Sequence, residues 1–255
     1  MLNRKLVPIF VIIFIVIGFI VIYLQVGEEK PDFKAIKNTT ERKQAFINYL
    51  LPYIKVAEKD ICDQRETVLA KLKIVSSGNK LSTNEYNNIA EIAKKYKLVI
   101  ENPITEMNLK ELSKRVNVIP GGMVLAQSAL ETGWGTSRFA ADYNNYFGEH
   151  CFTEGCGVKP KRQSPNKIDE VAIYSTPQNS ISNYLLLLNS SKRYTKLRDI
   201  RSDLLNQNKP ISSLTLINGL GSYSELGLDE YKNRLIGVID YNKLTQYDQY
   251  KCDSN

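Results

Sequence analysis

The run Leu6–Leu24 holds nineteen residues without a charge, rich in Ile, Val and Phe, and it constrains the fold more than any other feature. A helix crosses a bilayer with about 20 apolar residues, so a run of this length spans one. No polar face interrupts it, as one would in an amphipathic core helix. Arg4 and Lys5 precede the run, and Glu28 and Glu29 follow it. Positive residues stay on the cytoplasmic side, so residues 1–5 are expected as a cytoplasmic tip and 6–26 as a transmembrane anchor, N-in, with the remainder exported. A cleaved signal peptide would have a shorter apolar core, ~7–15 residues, ending in an Ala-x-Ala-like site. Here the run ends Ile22-Tyr-Leu-Gln-Val-Gly27.

Export changes how the four cysteines read. Outside the cytoplasm Cys62, Cys151, Cys156 and Cys252 can form disulfides, in three possible pairings. Cys151 and Cys156 lie five apart in a Gly-containing loop and are the expected pair, which leaves Cys62 with Cys252 to tie the two ends of the exported part. A zinc site built from Cys151, Cys156 and His150 lacks a full ligand set, because His150 is the only histidine. No metal and no cofactor is expected.

The 255 residues allow one domain of ordinary size or two small ones. Removing Arg4 and Lys5 from the total leaves 32 basic against 27 acidic side chains, a balance of +5 for the rest. That favours an anionic partner without choosing one. No basic run with interleaved aromatics marks a nucleic-acid groove, so no nucleic-acid partner is expected.

Residues 27–40 read as a polar stalk containing Pro31. From Glu41, Phe46, Tyr49, Leu50, Tyr53 and Ile54 recur at helical spacing. A second helix is expected over Val56–Val75, and a third opens at Ser82-Thr-Asn-Glu85 with Ile89, Ile92, Ala93 and Tyr96 on one face. These make a helical arm over 41–100, with a catalytic domain over 101–250. A short helix is expected at about Glu106–Arg115. The next, Met123 to about Glu131, is apolar or small nearly all round, which places it inside a core. Gly133 is its expected terminator. Glu170–Tyr174 alternates as a strand does, and Thr176-Pro177 reads as an N-cap followed by a first-turn proline. The helix after it carries Ile181, Tyr184, Leu185 and Leu188 on one stripe. The class is α+β, mainly α, with a small β element.

Glu131 closes the apolar helix and lies three residues from Trp134, the only tryptophan. Apolar surroundings, the negative end of a helix dipole and an aromatic wall would each favour its protonated form. A carboxyl group that keeps its proton near neutral pH is what the acid of a glycosidase needs. The competing reading is an exposed glutamate in a last helical turn.

The surrounding residues, Val124-Leu-Ala-Gln-Ser-Ala-Leu-Glu-Thr-Gly-Trp-Gly-Thr-Ser-Arg-Phe-Ala140 followed by Asn144-Asn-Tyr-Phe-Gly148, resemble the core motif of the bacterial N-acetylglucosaminidases of glycoside hydrolase family 73. Val118-Ile-Pro120, Cys151-Phe-Thr-Glu-Gly-Cys-Gly157, Tyr223-Ser-Glu225 and Ala93-Lys-Lys-Tyr96 are similar to its Bax-like branch. The resemblance implies a lysozyme-like two-lobed fold and hydrolysis of the β-1,4 bond after N-acetylglucosamine in peptidoglycan, without amidase activity. It implies Glu131 as general acid and Tyr223 at the reacting sugar, where the plain alternative is a packing tyrosine. Asn145, Tyr146 and Phe147, within the matched segment, are expected substrate contacts. Trp134 either lines the cleft or packs beneath it. An anchored enzyme of this kind would sit in the bacterial cytoplasmic membrane, facing the periplasm or wall.

An inverting enzyme needs a second carboxyl group ~6.5–9.5 Å from the first, with room for a water. The candidates are Asp169 and Glu170, with Glu149 and Glu154 behind them; Glu170 is favoured because it heads the strand after a loop. The substrate's own 2-acetamido group is the other route. Two further readings remain: a lytic transglycosylase on the same glycan, and a silent wall-binding or assembly module.

Overall fold

A computed structural model describes residues 29–159, 170–221, 228–249 and Cys252. The expected anchor Leu6–Leu24, Asp169 and Tyr223 lie outside them. Among the described residues no helix is long and apolar enough to cross a membrane.

One 38-residue helix, α1 (Thr39–Ser76), replaces the two expected before Gly78, with Pro52 inside it. Asn38 caps it, its side chain accepting from the N–H groups of Thr40 and Glu41. Proline removes one helical hydrogen bond and crowds the preceding turn. Phe46, Leu50, Ile54, Ile61 and Val68 are buried on either side of it, so packing carries the helix through. That packing belongs to the same core as the rest of the chain, because α1 meets α3 (Glu106–Arg115), α4 (Gly121–Thr132) and α6 (Pro177–Ser190). The end of the expected stalk is docked too. Lys30 Nζ donates to the Ala140 and Ala141 carbonyls at 2.8 and 2.6 Å, and Phe33 packs edge-on against Phe46 and Tyr49.

The expected start of α2 (Thr83–Lys95) holds, with Ser82 and Glu85 forming a capping box; Thr105 and Asn108 form a second one, not expected from the sequence, on α3. Thr176 caps α6 with Pro177 in its first turn. α5 (Arg138–Tyr143) follows α4, and α7 (Thr195–Asn206), α8 (Ser213–Leu216) and α9 (Leu228–Tyr241) complete the helical part. α4 runs through the middle, with every residue from Gly121 to Ala129 buried, and touches α1, α8 and α9.

The β element is three short antiparallel strands in the order β1–β3–β2: β1 His150–Cys151, β2 Gly157–Val158 and β3 Glu170–Ala172. Cys151 pairs with Glu170, and Val158 with Val171. All three β3 residues are buried, so the alternation in the sequence does not become a two-faced strand. Both expected disulfides are formed, Cys151–Cys156 across the β1–β2 turn and Cys62–Cys252 between α1 and the C-terminal end.

Candidate active site

α4 ends where its sequence stops supporting a helix. Gly133 takes the left-handed conformation (φ 58°), and the Trp134 N–H reaches back to the Ala129 carbonyl at 3.0 Å. Trp134 and Gly135 continue in the left-handed region at φ 61° and 79°. Gly135 has a second reason to be glycine: a Cβ there would lie 2.4 Å from the Phe33 ring. This tight exit fixes Glu131 on the last turn. The residue is exposed to solvent, as the competing reading of a glutamate in a last helical turn expects. Protein still crowds its carboxylate enough for desolvation to raise its pKa from the ordinary 4.5. A hydrogen bond from the Tyr231 hydroxyl to Oε1, at 2.9 Å, opposes that shift. The other oxygen, Oε2, faces Gly148, where an added Cβ would sit 3.6 Å away.

The aromatic wall expected beside Glu131 is arranged differently. Trp134 turns to α1, packing edge-on against Phe46 at 5.8 Å and lying under the Lys43 ammonium at 5.1 Å. Trp134 is half-buried there. The polar aromatic at the carboxylate is Tyr231 of α9, which the sequence analysis did not single out. Its spacing to Leu235 and Ile239 marks a core-facing helical stripe, and nothing in that stripe distinguishes a tyrosine that packs from one that bonds the acid.

Asn145, Tyr146 and Phe147, expected as substrate contacts, are 1%, 0% and 2% exposed, so the structure places them under the site and not on its surface. Asn145 organises the turn: its amide donates to the Glu149 and Ala172 carbonyls, and its oxygen accepts from the Phe147 and Glu149 N–H groups. Phe147 stacks on Tyr184 at 3.8 Å. Tyr146 packs against Phe46.

Two carboxylates sit in the sheet region. Glu170, at 4% exposure, accepts from the Gly157 N–H at 2.8 Å and the Gly155 N–H at 3.4 Å, beside the Cys151–Cys156 disulfide. The sulfurs of Cys151 and Cys156 lie close to Glu170, but they are bonded to each other and are not free thiolates. Glu149, at 9% exposure, directly follows Gly148 and accepts from Tyr174 Oη at 2.7 Å and Asn183 Nδ2 at 2.9 Å. Burial pushes it up to about 7 against the lowering effect of those two donors. Tyr184 lies within electrostatic reach of both Glu149 and Glu131.

A cavity of about 910 Å³, lined by Arg65, Asn117, Leu205, Lys209, Pro210 and Asp248 among others, includes none of these carboxylates. The candidate site is defined by its chemistry and not by that cavity.

Residues 106–244 match the model of the glucosaminidase family, described as mannosyl-glycoprotein endo-beta-N-acetylglucosaminidase. The chain is also similar to Protein bax of Escherichia coli (strain K12), at 29% identity over 213 residues, covering 84% of this chain and 74% of that protein. The matched family region contains α3, α4, the sheet, Glu131, Glu149, Glu170 and Tyr231.

Proposed function

This chain belongs to the glucosaminidase family, in its Bax-like branch, and we propose that it hydrolyses the β-1,4 bond after N-acetylglucosamine in peptidoglycan with Glu131 as the general acid. The observation that carries the proposal is the state of one carboxyl group. Glu131 ends a buried helix, its proton affinity is raised by desolvation, and Oε2 faces a glycine. In the reaction Glu131 gives its proton to the glycosidic oxygen as the C–O bond breaks, and the bonding pair leaves with that oxygen. The ring passes through an oxocarbenium-like state, and water adds at the anomeric carbon. Tyr231 stabilises the carboxylate that remains, since hydrogen bonds favour the charged form they reach.

Glu170 is the proposed second carboxylate, taking the proton from the attacking water. Its support is the pairing of β3 with β1, the strand that begins two residues after Gly148. If the substrate's acetamido group serves instead, Glu170→Gln retains activity and the product keeps its anomeric configuration.

The decisive test is Glu131→Gln on purified sacculi. The release of sugar reducing ends should vanish while circular dichroism and melting are unchanged; full activity in a folded variant refutes the reading. Product mass separates hydrolysis from a transglycosylase, whose anhydro-sugar is lighter by one water. The apolar run Leu6–Leu24 with Arg4 and Lys5 before it supports a single-pass, N-in anchor that holds the enzyme at the outer face of the cytoplasmic membrane. Retention in the membrane pellet after an alkaline wash tests that placement.

A further inference from the structure

The tyrosine that bonds the acid is itself a recipient. Gln127 Nε2 donates to the Tyr231 hydroxyl at 2.9 Å, and the Tyr184 hydroxyl donates to Gln127 Oε1. Tyr231 donates in turn to Glu131 Oε1 at 2.9 Å. The donors all point one way, from Tyr184 through Gln127 and Tyr231 to Glu131.

Three elements hold the chain in place. Gln127 lies one turn before Glu131 on α4, so the two side chains share a face. It is fully buried. Tyr231 comes from α9, and Tyr184 comes from α6, where Phe147 stacks flat on its ring.

The direction follows from the groups themselves. An ionised carboxylate only accepts, and a phenol has one proton to give. With Glu131 ionised, the Tyr231 proton goes to Oε1. Tyr231 then needs a donor behind it, so Gln127 turns its nitrogen to Tyr231 and its oxygen to Tyr184, which must donate. Reversing the chain would require the buried Gln127 amide to flip; without that flip the Tyr231 hydroxyl and the Gln127 amide nitrogen would face each other as two donors.

We propose that Tyr184, Gln127 and Tyr231 form a one-way hydrogen-bond chain that commits Oε1 of Glu131 as an acceptor in both protonation states, and so holds its transferable proton on Oε2, facing Gly148. The inference rests on the reading of Glu131 as general acid. Tyr231 touches the reacting carboxyl group; Gln127 and Tyr184 are positioning residues that act through it. The site needs the proton on the side that substrate can reach. Gly148, at φ 64° and without a Cβ, leaves space there. Phe147, buried and out of reach of a sugar, gains a role as the plate that fixes Tyr184.

Among the described residues, the ionisable groups linked to Glu131 are Tyr231 from α9 and Tyr184 from α6; Glu149 follows Gly148 and is linked to Tyr184. Lys43 of α1 sits over Trp134, three residues further on. None but Tyr231 hydrogen-bonds the carboxylate among the described residues.

The experiment titrates Glu131 by carboxyl-carbon NMR in the full chain labelled at glutamate, with Glu131→Gln assigning the resonance. The alkaline limb of the muralytic rate is followed in parallel. Tyr231→Phe should raise the Glu131 midpoint by about one pH unit, because it removes the one donor to the charged form among the described residues. Gln127→Met, close in volume, should raise it by about half a unit, and Tyr184→Phe by less, since each acts at a greater remove. The rate limb should move upward in the same order. Rates lowered at every pH with unmoved midpoints would show packing roles only and overturn the chain. If Tyr231→Phe does not fold, the other two variants still give the ordering. Ordered midpoints in a protein without muralytic activity would uphold the chain and refute the hydrolase reading.

Discussion

The last turn of α4 and the head of the three-stranded sheet both carry glutamates but leave them in different conditions: Glu131 is exposed, whereas Glu149 and Glu170 are buried. In the sheet region Glu149 is fully occupied by Tyr174 and Asn183, while Glu170 is held by the Gly157 N–H at 2.8 Å and only by a long 3.4 Å contact from the Gly155 N–H on its other oxygen. At the end of α4, Glu131 accepts one bond among the described residues, from Tyr231, and its other oxygen faces a glycine. Burial raises the proton affinity of both Glu131 and Glu149. A raised pKa therefore does not identify the acid. What separates the two is whether an oxygen is left over to meet a substrate.

The sharpest break of this comparison is the same substitution made in both regions. Glu131→Gln should lower the rate on sacculi by about 10²–10⁴-fold, the usual worth of a positioned general acid. Glu149→Gln should leave the rate within about threefold, because a glutamine can still accept from Asn183 while its amide nitrogen donates to Tyr174. Comparable losses at both positions would end the distinction. Glu170→Gln comes next. As the proposed base its loss should reduce the rate by about 100-fold, with azide restoring turnover in its place.

A smaller effect lies in stability. Glu149 titrates at about 7 in the folded protein against an ordinary 4.5. The folded state then binds the proton more tightly than the unfolded state, so the associated stabilisation is full below pH 4.5 and lost as pH rises through about 7. Urea midpoints at pH 5 and pH 8 should show the wild type losing about 2 kcal/mol more than Glu149→Gln. Glu58, buried on α1 and pushed up to about 8, titrates over an overlapping window. For that reason the difference between variants, and not the raw curve, reports on Glu149. The smallest effect concerns what lies behind the α4 exit. Lys43→Ala removes the cation over Trp134 and should reduce stability by about 0.5–1 kcal/mol with little change in rate; a large rate loss would move Trp134 back into the cleft.

Much of the helical frame was legible because its signals are local. The Ser82–Glu85 and Thr176-Pro177 starts, the Gly133 stop and the all-round apolarity of α4 each depend on neighbours in sequence. The break expected between Ile54 and Val56 does not form, because residues on both sides of it are buried in one core and carry the helix through. Glu131 was legible as the polar end of a greasy helix. Asn145, Tyr146 and Phe147 lie in the same matched segment, but a segment does not say which of its side chains face inward. Tyr231 was missed because it lies 100 residues from its partner and looks like any core aromatic of α9.

The order of residues settled where most of the helices start and stop, which cysteine pair to expect, and that a carboxyl group closes the most buried helix. These follow from backbone preferences and from apolar groups leaving water, and both can be read along the chain. The fold alone decided which oxygen of that carboxyl group is engaged, which glutamates are fully satisfied, and which aromatics support the site from below. Those outcomes depend on hydrogen-bond geometry between distant segments. That geometry is set within tenths of an ångström by packing, and no spacing in the sequence encodes it.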